Sequence, residues 1–190
     1  MNLPGNRMGC AHSLRLVPGE KITVKNTPGN PGGGPEPTTF TPDQWARIRR
    51  HAESIFACGP HSIHGPDHWR RVEDAGLELA RDSGADETLV RLFAILHDSC
   101  RLNDGGDHNH GPRAADMLGS LVPDLFILEP KRLALLEHAI RHHTAGRTSV
   151  DPTIGTCWDA DRLDLGRAGI RPHEKYMSTR AGRKKVVRRI

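Results

Sequence analysis

The alternation of apolar and polar residues changes character at residue 41. From there apolar positions recur every three to four residues, the period of a helix with one buried face. Trp45, Ile48, Ala52, Ile55 and Phe56 fall on one stripe; Thr41-Pro42 offers a capping residue and a first-turn proline, and Gly59-Pro60 ends the run. A second helix is predicted from near Pro66, with Trp69, Val72, Gly76, Leu79 and Ala80 on one side. A third spans Asp86 to Asp98. Leu89, Val90, Leu92, Phe93, Ala94, Ile95 and Leu96 make it apolar nearly all round, which marks a buried central helix. Asn103 to Asp107 reads as a loop. Further helices are predicted from Pro112 to Val122, Pro130 to His143 and Pro152 to Leu165. No convincing strand follows residue 40. The expectation is an all-α domain of about six helices over residues 41–175.

Residues 1–40 have a different texture, holding six of the fourteen prolines and seven of the twenty glycines. Asn26 to Pro37 is nearly all Asn, Pro and Gly and reads as a flexible linker. Before it, Ser13 to Val17 and Lys21 to Lys25 alternate polar and apolar residues around Pro18-Gly19, the pattern of a short N-terminal β-hairpin.

The net charge of +4 conceals an asymmetry. Residues 180–190 carry six cations and no acid, so the rest of the chain is net negative. Segment 176–190 reads as a basic, solvated tail, with weak binding to nucleic acid or an acidic partner as its candidate role. The body itself has no nucleic-acid-binding signature. No apolar run is long enough to cross a membrane, and the N-terminal region has no signal-peptide core. Cys10, Cys58, Cys100 and Cys157 show no CxxC spacing and read as free thiols, so a cytoplasmic location is expected.

Nine of the twelve histidines fall between His61 and His143, a density that favours a metal site or acid–base chemistry. His97 and Asp98 stand side by side where the apolar third helix runs out. With His68 before them and Asp161 after, they offer two imidazoles and two carboxylates, a donor set suited to a divalent ion. Manganese, iron, cobalt, nickel, zinc and magnesium all fit such a set.

Four segments, in order, resemble the HD-domain superfamily of metal-dependent phosphohydrolases. They are His64-Gly65-Pro66-Asp67-His68-Trp69-Arg70-Arg71-Val72, Phe93-Ala94-Ile95-Leu96-His97-Asp98, His110-Gly111 with Ala114-Ala115, and Asp159-Ala160-Asp161-Arg162-Leu163-Asp164. The resemblance implies an HD-type helical domain with His68, His97, Asp98 and Asp161 as metal ligands. It also implies hydrolysis of a phosphate ester, such as a nucleotide or another small phosphorylated metabolite. His110 and His143 are then candidates for acid–base catalysis, a second metal or a phosphate contact; His138 and His142 are left unassigned. Arg101, Arg113 and Arg147 are the candidate phosphate-binding residues, because a guanidinium grips phosphate as a fork, and Arg113 leads because it lies at the same helix start as His110. Asp159 is expected to orient a neighbour, and Asp164 to cap a helix or pair with arginine. Two other outcomes belong to the same fold: a di-iron oxygenase and a non-catalytic ligand-binding module.

Overall fold

The computed structural model describes residues 39–145 and 147–188. The candidate hairpin and the Pro/Gly-rich linker lie outside the described residues. Seven α-helices follow one another among the described residues: α1 (Pro42–Ile55), α2 (Pro66–Ser83), α3 (Glu87–Leu96), α4 (His110–Leu121), α5 (Pro130–His142), α6 (Pro152–Leu163) and α7 (Arg180–Arg188). No strand occurs among these residues, so the all-α expectation holds.

Local chemistry starts the helices where the sequence signals stood. Thr41 and Gln44 cap α1 reciprocally, each side chain bonded to the other's backbone N–H. Phe40, just before the cap, packs its ring 4.9 Å from that of Trp45 and closes the same turn as a hydrophobic staple. Asp86 caps α3 and also takes a two-pronged ion pair from Arg132 in the first turn of α5, so one carboxylate joins two helix starts. Asp151 caps α6.

Helix α3 is the axis of the core. Leu89, Val90 and every residue from Leu92 to Leu96 are buried. It is packed by α1, α2, α5 and α6, while α4 lies on α5. The indole N–H groups of Trp69 and Trp158 donate to the carbonyls of His64 and Ala139, so both large rings enter the core with their polar atom satisfied. Gly111 decides how closely α4 meets the end of α5. A Cβ there would lie 2.8 Å from the carbonyl oxygen of Ile140 and 3.2 Å from the His143 ring.

The C-terminal segment departs from the expected solvated tail. Residues 180–188 form α7, which packs on α2 and α6. Met177 and Val186 are buried in the core. The Asp159 carboxylate accepts from the backbone N–H groups of Ser178 and Thr179 and from the Thr179 hydroxyl, fixing the start of α7. Asp159 therefore does orient its surroundings, but on the side of α6 that faces α7. Two of the basic residues are engaged internally: Arg183 donates to the carbonyls of Met177 and Ser178, and Lys185 pairs with Glu78. The dense positive charge hid this in the sequence, since only a few apolar residues mark the buried face of α7.

Candidate metal centre

The site forms where five helix ends meet. His68 comes from the first turn of α2, and His97 and Asp98 from the exit of α3. His110 opens α4, His143 follows α5, and Asp161 lies near the end of α6. Three overlapping groups have donor atoms close enough to share an ion: His68, His97 and Asp98; His97, His143 and Asp161; and Asp98, His110 and His143. His68, His97, Asp98, His110 and His143 are all buried.

Asp98 joins the groups by turning one oxygen to each side. Its Oδ2 lies 3.6 Å from Nε2 of both His68 and His97. Its Oδ1 lies 3.0 Å from His110 Nε2 and 3.6 Å from His143 Nε2. Asp161 Oδ1 adds a second carboxylate oxygen to the first side, 3.3 Å from His68 Nε2 and 3.8 Å from His97 Nε2.

The outer nitrogens define which atoms face inward. His97 Nδ1 is 3.1 Å from the carbonyl oxygens of Phe93 and Ala94, and His143 Nδ1 is 2.7 Å from that of Ile140. His110 Nδ1 meets the carbonyl oxygen of Asp107, and His68 Nδ1 lies 2.8 Å from the Asp164 carboxylate. Each of these partners accepts, so each Nδ1 carries the hydrogen and each Nε2 presents a lone pair. The Nε2 atoms then meet in pairs, 3.1 Å apart for His68 and His97 and 2.9 Å apart for His110 and His143. Facing lone pairs repel unless a proton or a cation lies between them. Asp98 Oδ1 and Asp161 Oδ1 are also buried without a hydrogen-bond partner. Paired inward lone pairs and two orphaned carboxylate oxygens fit a bound divalent ion.

The electrostatics point the same way. Burial alone would raise the carboxyl pKa of Asp98 and Asp161, but the surrounding histidines hold both well below the usual range. Burial lowers His97 to about 3, leaving a neutral imidazole. At His68 and His143 burial also pulls downward, but the neighbouring carboxylates, Asp161 and Asp164 for the first and Asp98 for the second, outweigh it and raise both. Two ionised carboxylates in a buried histidine nest create a demand for positive charge.

The cluster opens into a cavity of about 490 Å³, lined also by His64, Arg101, Leu165, Arg167 and Tyr176. A larger groove of about 580 Å³, between the end of α2 and the start of α7, touches none of these histidines. The chemistry favours the smaller cavity.

No family model matches the chain. A crystal structure of a predicted HD superfamily hydrolase from an uncultured Thermotogales bacterium superposes with a TM-score of 0.60 at 25% identity, covering 77% of this chain and 83% of that one. The chain shares the helical fold of that HD-superfamily hydrolase. It is also similar to the symmetrical bis(5'-nucleosyl)-tetraphosphatase of Staphylococcus aureus, 27% identical over 114 residues. That match takes in 53% of this chain and spans 59% of the length of the relative.

The other candidate residues divide between the cavity and its outside. Arg101 lines the cavity, with Nη1 3.5 Å from Asp98 Oδ1. Arg113 does not reach it: its guanidinium donates to the carbonyl of Cys100 and pairs with Asp107, bracing the loop before α4. Arg147 is exposed and outside the cavity lining. His138 and His142 are exposed and lie against each other with ring centroids 4.6 Å apart and planes tilted by 53°, outside the ligand groups. Cys157 is buried in the core and belongs to none of the three ligand groups. Among the cavity residues, the pattern along the chain did not assign His64 or Tyr176 a role. His64 is held by Asp104, 3.1 Å away and forty residues on, a pairing that no short motif signals.

Proposed function

We propose that this HD domain is a metal-dependent phosphohydrolase acting on a small phosphate ester, with a nucleotide as the favoured class. The observation that carries the reading is the Asp98 carboxylate, whose two oxygens face two histidine pairs at the floor of an arginine-lined cavity. His68, His97, Asp98 and Asp161 would hold the ion. A divalent ion there polarises a phosphoryl oxygen and lowers the pKa of a bound water from about 15.7 toward about 7.

The chain's own residues supply the rest. The side chains of Arg101 and Arg167 are largely buried beside the ligand carboxylates, where guanidinium groups can grip phosphoryl oxygens. His110 and His143 stand next to them as proton-transfer groups or anion contacts. Tyr176, the single tyrosine of the chain, lines the cavity while staying 47% exposed. Its backbone carbonyl is held by Arg162, 2.8 Å away. An accessible ring on a cavity wall shared with Leu165 suits stacking against a nucleobase. The similarity to a nucleosyl tetraphosphatase supports the same substrate class.

The test is phosphate release from a panel of nucleotides and sugar phosphates. The chain is first stripped of metal and then reloaded separately with manganese, iron, cobalt, nickel, zinc or magnesium. Metal-dependent turnover of a nucleotide is expected. Oxygen-dependent chemistry with two irons would replace the proposal with an oxygenase. Ligand binding without turnover under any metal would replace it with a binding module.

A further inference from the structure

We propose that the two histidine pairs load unequally: His68 and His97 hold an ion from solution, whereas His110 and His143 take up a second ion only together with a phosphate group. The inference rests on the metal-dependent reading above and assigns a distinct role to Arg101.

The two sides differ in charge. The first pair has Asp161 as well as its share of Asp98, and His68 is backed by a third carboxylate, Asp164. A carboxylate behind an imidazole raises its strength as a ligand. Arg167 approaches Asp161 at 3.6 Å and Arg71 grips Asp164, so two carboxylates balance two guanidiniums on this side. The second pair meets the Oδ1 atom of Asp98, and Asp161 comes within 4.8 Å of its His143. Its imidazoles are backed by the neutral carbonyls of Asp107 and Ile140.

Arg101 widens the difference. Its Nη1 lies 3.5 Å from Asp98 Oδ1, and 3.1 and 3.2 Å from the two ring nitrogens of His110. Nε donates to the Asn103 carbonyl and Nη2 to that of Gly105, 2.9 Å away. Those bonds tether the guanidinium to the loop, and swinging aside would break both. A dication entering between His110 and His143 would meet a fixed positive charge and share one carboxylate oxygen with it. Like charges at that range repel strongly in a buried site. A phosphate dianion reverses the balance, because it brings negative charge to the ion and acceptor oxygens to Arg101. Substrate would thereby complete the second half of the centre.

Manganese titration of the metal-stripped full chain tests this, with free Mn²⁺ followed by electron paramagnetic resonance and bound metal by elemental analysis after desalting. Inorganic phosphate is the probe. One ion per chain is expected without phosphate and two with it. Arg101→Met is expected to bind two without phosphate, the second at least about tenfold more tightly than in the parent chain. His110→Ala should stop at one ion in both conditions. Two ions of similar affinity without phosphate would overturn the proposal, as would a single ion with phosphate, or Arg101→Met still requiring phosphate. The wild-type comparison stands even if Arg101→Met fails to fold. No bound ion under any condition would instead sink the metal-dependent reading itself.

Discussion

His68 Nδ1 lies 2.8 Å from the carboxylate of Asp164, which also takes a two-pronged ion pair from Arg71. Burial works against the charge on Asp164, but hydrogen bonds to His68 and Arg71 lower its pKa to about 2. Asp164 is thus an ionised clamp that fixes the His68 ring with Nε2 inward. Asp164→Ala is expected to weaken metal binding about 10- to 100-fold, the usual effect of losing such an orienting partner. Asp164→Asn, which keeps a hydrogen-bond acceptor, should fall between. Metal affinity by competitive chelation is the measurement, and an unchanged affinity would remove Asp164 from the site.

Asp98→Ala should abolish both metal retention and hydrolysis while leaving most of the helical circular dichroism. The reason is a division of labour on one helix: Leu89 to Leu96 build the core, and the exit of α3 carries the donors. Loss of the helical signal along with the metal would show that the ion contributes directly to folding free energy.

Gly111→Ala should damage the second histidine pair. The new methyl would meet the Ile140 carbonyl at 2.8 Å and the His143 ring at 3.2 Å, so α4 must move off α5 or the His143 ring must turn. Overpacking of this kind costs about 1–3 kcal/mol. Thermal melting should show that loss. Binding at His68 and His97 should change less than any binding at His110 and His143.

Removing residues 177–190 should destabilise the domain. The deletion withdraws the buried side chains of Met177 and Val186, each worth about 1.5–3 kcal/mol. It also takes away all three donors to Asp159, a carboxylate whose pKa burial already raises. Together these losses are a large share of a typical stability of about 5–15 kcal/mol. The expected result is a lower melting midpoint or loss of cooperative melting. An unchanged melt would show that α7 is dispensable. Removing residues 1–38 is expected to leave a folded, metal-binding domain, since α1 begins at Pro42 and every proposed ligand lies later.

The sequence alone determined the helical class and the position of the central helix, because both rest on local periodicity. A run as apolar as Leu89 to Leu96 has few places to go except the core, and capping residues such as Thr41, Asp86 and Asp151 act on backbone within a few residues. The order of His68, His97-Asp98 and Asp161 was legible for another reason, since the four ordered segments resemble the HD superfamily. Tertiary structure decided what depends on distant partners and on direction. Asp164 clamps a histidine ninety-six positions earlier. In the chain Arg113 was the leading phosphate candidate, yet Asp107 turns it away while loop carbonyls hold Arg101 at the cavity. The basic C-terminal segment read as solvent-facing because its charges are local, whereas the core surface that accepts Met177 and Val186 exists only after α2 and α6 have packed.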